Sequence, residues 1–328
     1  MSAEKTLLDY LEERRGEFCS GEELARELGV TRATIWNYVE KLRARGYDVA
    51  SVRNRGYRLA SDSDALTVEG VAKGLSRECA GLSLEVVDET GSTNLDLREE
   101  AERGAADGRV LFARRQTGGR GRRGRRFFSP ESGLYVSMLL RPAETSASIA
   151  IRYTTIAALA VCEAIEATSS KTPRIKWVND VMIDGLKVCG IMTEAQIGLE
   201  SGLVEHAVVG VGVNLYRPKE ETPSELRGVA GFVFDEARGG LLNRFAAEFL
   251  NRFTRRRLAG DAEDDLKEYR RRLLAQGREG DVLRFSGKRR AKIVDVDEEY
   301  RLIVEYPDGT REALSSGEIS VRPDAKRE

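Results

Sequence analysis

A chain of 328 residues is too long for one ordinary hydrophobic core and points to two or three domains. With 33% charged residues, 41% hydrophobic residues and a formal net charge of −1, it reads as a soluble globular protein whose nucleic-acid surface, if any, must be local. Four scattered cysteines without a CxxC pair (Cys19, Cys79, Cys162, Cys189) fit reduced structural thiols, and no apolar signal core or membrane span appears, so a cytoplasmic location is expected. The single histidine, His206, excludes any metal site needing two histidines and any Ser-His-Asp triad that does not use it.

Residues 1–60 read as three helices and a hairpin. Leu7, Leu8 and Leu11 mark one helix face, ended by Gly16. Ser20-Gly21-Glu22-Glu23 has the form of a capping box opening a second helix that stops at Gly29. Thr31 caps a third, with Ile35, Val39 and Leu42 as its apolar stripe. The short turn between the second and third helices is the helix-turn-helix pattern. Val49–Val52 and Tyr57–Leu59 then flank a basic hairpin tip, Arg53-Asn54-Arg55-Gly56. From Val30 to Ala60 seven basic residues face two acidic ones, so positive charge gathers on the third helix and the hairpin. DNA contact is expected through Arg32, Thr34, Asn37, Lys41, Arg53 and Arg55, with Trp36 and Tyr38 in the partial core. A solvated face on a small protein-binding domain is the competing reading.

A polar linker, Ser61–Asp64, precedes a new domain near Leu66. Leu84–Val87 reads as a strand, followed by Ser92-Thr93-Asn94 and a helix over Leu95–Arg103. Ser92 and Thr93 serve equally well as helix caps or as hydroxyls for a polar ligand. Arg114–Arg126 holds seven arginines and four glycines without an acid. Alone, such a composition suggests a disordered RNA-touching segment, but it lies between two apolar runs that read as buried strands, Val110–Ala113 and Leu134–Leu140. A mobile loop that clasps a polyanion follows, its arginines supplying paired donors and its glycines close backbone approach. It lacks the Gly-Lys-Ser/Thr of a P-loop.

Ser148–Ala167 is apolar nearly all round and should be a buried helix. Lys176-Trp177-Val178-Asn179-Asp180 and Lys187-Val188-Cys189-Gly190-Ile191 flank an Asp184-Gly185 turn, which signals a hairpin. Gly210, Gly212 and Asn214 lie in or just after a strand over Glu205–Val213 that also holds His206, read as structural. Helices over Leu241–Leu258 and Asp261–Leu274 follow. Short strands at Val282–Phe285, Lys292–Val296, Leu302–Tyr306 and Ile319–Val321 suit a small SH3-type barrel.

The Gln116–Pro130 segment resembles the signature loop of biotin–protein ligases. Ser92-Thr93-Asn94, Lys176–Asp180 and Lys187–Ile191 are similar to that family's other motifs, in the same order. With both flanking domains, nearly the whole chain resembles the bifunctional biotin–protein ligase and biotin operon repressor family. Val178 stands where the family commonly has proline, and Phe127 where a tryptophan packs on adenine; phenylalanine can still stack. The implied fold is α+β and multidomain: a winged helix-turn-helix over 1–63, a mixed α/β biotin/lipoate ligase-like domain over 64–276, and an SH3-like β-barrel over 277–328.

The resemblance implies a two-step reaction. Biotin's carboxylate attacks the α-phosphate of ATP, and a lysine of biotin carboxyl carrier protein then attacks the mixed anhydride. Ser92, Thr93, Asn94, Gln116, Gly119, Arg120, Arg122, Lys187 and Gly190 are the expected biotin ligands. Arg120, Arg122, Arg125, Phe127, Lys176, Asn179, Asn214 and Arg322 are expected on ATP, with Mg²⁺ on its phosphates and no protein metal site. Arg122 and Lys187 would neutralise charge, and Asp180 would take the acceptor's proton. The adenylate would favour a homodimer that binds operator DNA through residues 1–60. A lipoate-type ligase and a ligand-sensing repressor without enzymatic activity are the alternatives.

Overall fold

Helix α1 (Ala3–Glu13), α2 (Gly21–Leu28) and α3 (Arg32–Ala44) pack around Leu7, Leu11, Leu24, Ile35, Val39 and Leu42, all fully buried. The computed structural model describes residues 3–44, 46–61, 63–121, 124–142, 148–198, 202–274, 276–284, 287–315 and 318–321; Arg122 and Arg322 lie outside them. Ser20 caps α2 as expected, its hydroxyl accepting from the Glu22 and Glu23 amides at 3.2 and 3.4 Å. The reciprocal half of the capping box is replaced: the Glu23 carboxylate accepts from the Tyr10 hydroxyl at 2.8 Å, tying α2 to α1.

Strands β1 (Val49–Val52) and β2 (Gly56–Leu59) form the expected antiparallel hairpin. Cys19 and Tyr57 exchange both backbone hydrogen bonds, at 2.8 and 2.9 Å, so the hairpin is pinned to the segment before α2. Gly56 has φ +93°, and a Cβ there would overlap the Cys19 carbonyl. Arg43 donates to the Val49 carbonyl at 2.8 and 2.7 Å and to Glu40 at 2.6 Å, so that charge is spent inside the domain. Tyr38 packs on the core as expected, but Trp36 is 55% exposed. It sits about 100° round α3 from Ile35, off the stripe that faces α1 and α2.

Residues 1–74 with 236–246 make one compact unit, which includes α4 (Val68–Lys73). Within it the linker is tied down: Asp64 accepts from the Leu242 amide, and Asn243 accepts from the Thr67 amide and donates to the Ala65 carbonyl. Residues 75–235 with 247–328 make the other unit.

That second unit is built on a seven-stranded mixed sheet. In spatial order its strands are β3 (Ser83–Thr90), β4 (Arg109–Gln116), β5 (Leu134–Leu140), β9 (Val204–Val213), β8 (Leu186–Ile197), β7 (Asp180–Ile183) and β6 (Arg174–Lys176). Only β3 and β4 are parallel. All seven residues of β5 are buried, which explains why apolar side chains fill it on both faces with Ser137 as the exception. Helix α5 (Thr93–Glu102) packs on β4, β5 and β9, and α6 (Ile149–Thr168) on β7, β8 and β9. Asp184 and Gly185 take φ +50° and +78°, the mirror-image turn expected between β7 and β8. His206 is buried in β9, and burial, then Arg141, pushes its pKa below the ordinary value, consistent with a structural imidazole. Burial raises the Cys162 thiol to about 12 and the Cys189 thiol well above its usual range, so both are inert.

Helices α7 (Leu241–Ala259) and α8 (Ala262–Arg272) lead into an antiparallel sheet of β10 (Glu279–Arg284), β11 (Gly287–Val296), β12 (Leu302–Glu305), β13 (Arg311–Leu314) and β14 (Glu318–Val321). Its order is β13-β12-β11-β10-β14, without a closing pair between its outer strands among the described residues. Strand β13 escaped sequence reading because Arg311-Glu312-Ala313-Leu314 shows one fully buried side chain, Leu314.

Candidate active site

A cavity of about 330 Å³ opens over the middle of the large sheet. Its floor is bare backbone: Gly190 of β8 and Gly212 of β9 are direct cross-strand partners. The Phe127 ring lies on that floor, 2.6 Å from where a Cβ on Gly212 would stand and 3.1 Å from one on Gly190. It also meets Tyr135 edge-on, with ring centroids 6.4 Å apart. The glycines thus admit an aromatic ring to the sheet surface.

One wall is a buried hydrogen-bond network. Thr93, in the first turn of α5, donates its amide and hydroxyl to Gln116 Oε1 at 2.9 and 3.1 Å. Its hydroxyl also lies 2.7 Å from that of Ser137, which donates to Asn94 Oδ1 at 2.6 Å. Asn94 Nδ2 donates to the Glu194 carboxylate at 2.9 Å and the Met192 carbonyl at 3.3 Å, which fixes the orientation of its amide. Gln116 Nε2 donates to Ser129 Oγ at 3.2 Å. Two hydroxyl protons therefore serve three short contacts, and a ligand that supplies a donor or acceptor can settle their arrangement. Ser92 precedes α5, yet its hydroxyl makes no cap hydrogen bond, so the capping alternative is not realised there.

The opposite wall is charged. Asp180, first residue of β7, accepts from Lys187 Nζ of β8 at 2.7 Å, both side chains about one-quarter exposed. Lys176 is Asp180's cross-strand partner, but the ion pair is made with Lys187. Lys187 Nζ also stands 5.9 Å from the Phe127 ring centroid. Asn179 donates to the Ile191 carbonyl at 2.8 Å and Asn214 to the Lys187 carbonyl at 3.3 Å, so both amides brace the rim they line. Asp180 is the only carboxylate among the described residues lining the cavity, and no described cluster of three His, Cys, Asp or Glu could hold a metal ion.

The described ends of the arginine-glycine loop are anchored. Thr117 and Gly118 amides donate to the carbonyls of Thr90 and Gly91, Phe127 donates to Gly119, and Gly121 to Arg125. Arg120 and Arg126 pair as an isolated antiparallel bridge, and Arg120, Arg125 and Arg126 all line the cavity. Gly119 lies beneath, too close to the Phe127 carbonyl and Ser129 hydroxyl for any Cβ. Of the expected site residues, Ser92, Thr93, Asn94, Gln116, Arg120, Arg125, Phe127, Lys176, Asn179, Asp180, Lys187, Gly190 and Asn214 line this one cavity.

Sequence reading missed Ser137, Ser129 and Glu194. Ser137 had a signal: it is the one hydroxyl-bearing aliphatic position in the apolar run Leu134–Leu140. Also missed was the support behind Trp177 and Val178, which are joined by a cis peptide. Trp177 is buried and lines the cavity, with its indole N–H donating to the Tyr300 carbonyl at 2.8 Å. The Tyr269 hydroxyl donates to the Val178 carbonyl at 3.1 Å, and the Tyr269 and Tyr300 rings meet edge-on. Tyr269→Phe strips the donor from that carbonyl and should cost about 1–3 kcal/mol, a loss of several degrees in Tm by calorimetry.

A polar pocket end, a charged end and a glycine floor between them, on a mixed sheet and in a chain that begins with a helix-turn-helix, define a ligand-activating enzyme combined with a DNA-binding module. Family comparison agrees in all three parts. The Biotin/lipoate A/B protein ligase family matches residues 84–214, a helix-turn-helix domain residues 4–58, and the biotin protein ligase C-terminal domain residues 283–322. The chain belongs to the bifunctional biotin ligase/repressor family. It is 35% identical over 227 residues to the bifunctional ligase/repressor BirA of Bacillus spizizenii, covering 69% of each chain. To BirA of Escherichia coli K12 it is 33% identical over 201 residues, 61% of this chain and 60% of that one. Among solved structures it resembles the biotin protein ligase from Aquifex aeolicus in complex with biotin and ATP, with TM-score 0.61 and 28% identity, covering 73% of this chain and 98% of that one.

Proposed function

We propose that this chain makes biotinyl-5′-adenylate from biotin and ATP, transfers the biotin to a lysine of biotin carboxyl carrier protein, and represses transcription when charged with the adenylate. The observation that carries the enzymatic half is the meeting, across the Gly190–Gly212 floor, of the Thr93–Ser137–Asn94–Gln116 network with the Lys187–Asp180 pair. A bicyclic urea needs fixed donors and acceptors at one end; its carboxylate and the nucleotide phosphates need cations at the other.

In this reading Ser92, Thr93, Asn94 and Gln116 orient the ureido ring directly or through one another, with Gly119 and Gly190 giving backbone access. Lys187, Arg120 and Arg122 hold the biotin carboxylate against the α-phosphate. Positioning two anions and neutralising them is the principal task of the first step. Arg125, Lys176, Asn179, Asn214 and Arg322 serve the nucleotide, and Phe127 offers a face to adenine. Mg²⁺ would ride on the phosphate oxygens, since Asp180 is engaged by Lys187. In the second step Asp180 orients the carrier lysine and takes its proton.

The winged domain over 1–63 presents Arg32, Thr34, Asn37, Lys41, Arg53 and Arg55 to operator DNA, and the adenylate-bound protein works as a homodimer. Residues 64–276 form the ligase domain, and the C-terminal sheet over 277–328 corresponds to a small SH3-like β-barrel. The whole acts in the cytoplasm. Incubation with ATP, labelled biotin or labelled lipoate, and a carrier domain should give labelled carrier with biotin alone. Labelling by lipoate, or by neither, would reject this reading. A chain lacking residues 1–60 should still make adenylate but lose operator binding in a mobility-shift assay.

A further inference from the structure

Trp36 contributes little to its own domain. It is 55% exposed on α3, beside a core that is fully buried without it. A ring of that size, left open in water, forgoes the burial that ordinarily stabilises a fold. Its neighbours on the open side of α3 are Ala33 and Asn37, both exposed, with exposed Arg32 one turn before it. Glu40, one turn beyond, would repel phosphate, but its carboxylate is held by Arg43 at 2.6 Å. Exposed Lys41, Arg53 and Arg55 add positive charge to the same domain, and Arg55 is held in place over the Phe18 ring at 4.1 Å.

The second helix of a helix-turn-helix enters the major groove and contacts base edges with its N-terminal half. Arg32, Ala33, Trp36 and Asn37 occupy that half of α3. In the major groove an apolar side chain finds one apolar group, the C5-methyl of thymine, while asparagine pairs with adenine N6 and N7. We infer that Trp36 reads a thymine methyl in the operator half-site, beside an adenine held by Asn37. The inference rests on operator binding as proposed above and adds which base pair is read, and by what contact.

The test begins by selecting duplexes from a random pool with the full-length chain, biotin and ATP. Each thymine of the selected sequence is then replaced by deoxyuridine, which removes the methyl alone. At one thymine per half-site, wild-type affinity should fall about fivefold or more. Trp36→Ala should show a comparable loss on the thymine duplex and no further loss on the uridine duplex. Its salt dependence should match wild type, because an indole neutralises no phosphate. Adenylate formation, which does not involve Trp36, should be unchanged and reports a folded protein. Tolerance of uridine at every position, an unaltered affinity of Trp36→Ala, or the same uridine penalty in both proteins overturns the inference while operator binding stands. A pool that yields no enriched sequence overturns operator binding and the inference together.

Discussion

Asp180→Asn is expected to leave biotinyl-adenylate formation within about threefold of wild type while slowing transfer to the carrier lysine by about 10²- to 10⁴-fold. The side chain spans two tasks. One oxygen, Oδ1, accepts from Lys187 at 2.7 Å, leaving the other for an incoming amine. An amide keeps the first contact, since its oxygen still accepts from the ammonium, but it cannot take a proton. An acceptor lysine with a pKa near 10.4 is neutral in about one molecule in a few thousand at pH 7, and that fraction rises about tenfold per pH unit. Transfer by Asp180→Asn should therefore recover in part as pH rises. Asp180→Ala should differ: it strips Lys187 of its partner, and both half-reactions should fall. Pyrophosphate release and single-turnover transfer on one preparation check this. Equal loss of both steps in Asp180→Asn would reduce Asp180 to a brace for Lys187.

Gly210→Ala should abolish useful biotin binding, by roughly 10²-fold or more, and lower Tm by several degrees. Gly210 lies in register between Ser137 of β5 and Met192 of β8. A methyl there would overlap the Asn94 amide, and that amide is already fixed by Ser137, Met192 and Glu194. The central strand has no room to yield, because ladders hold it on both sides. Asn94 must leave instead, stranding the Ser137 hydroxyl and releasing the Glu194 carboxylate. Adding Asn94→Gly to Gly210→Ala should restore thermal stability but not biotin affinity, because the wall would fit again without orienting its hydroxyls. Titration calorimetry and thermal unfolding distinguish the two readouts. Full biotin affinity in the double variant would remove Asn94 from the recognition network.

Much of the cavity lining could be read in advance because its local signals survive folding. Glycines mark close approach, an Asp-Gly pair marks a tight hairpin, and arginine without acid marks a polyanion. Such signals locate Gly190, Gly212, Lys187 and the Gln116–Pro130 loop without knowledge of the third dimension. Partnership is different. That Asp180 would pair with Lys187 rather than with its cross-strand partner Lys176 is visible only in the folded sheet. Ser137 becomes functional only once α5 brings Thr93 and Asn94 over β5. Trp36 inverted its expectation because aromatic character alone cannot tell which side of α3 meets a neighbour. The charged strand β13 lacked the alternation that would announce it, and pairing with β12 defines it.

The Trp177–Tyr300 hydrogen bond has a consequence for how the protein comes into being. A ribosome emits the chain from its N-terminus, so every described cavity-lining residue, the last being Phe232, is synthesised before the carbonyl that receives the Trp177 indole. A premature stop between the two leaves a polypeptide with the acid, the lysine and the glycine floor, but without the prop behind the Lys176–Asp180 loop. Such a fragment is expected to be catalytically poor. Support for the Lys176–Asp180 loop thus arrives only once Tyr300 has been made, well after the residues of the cavity itself.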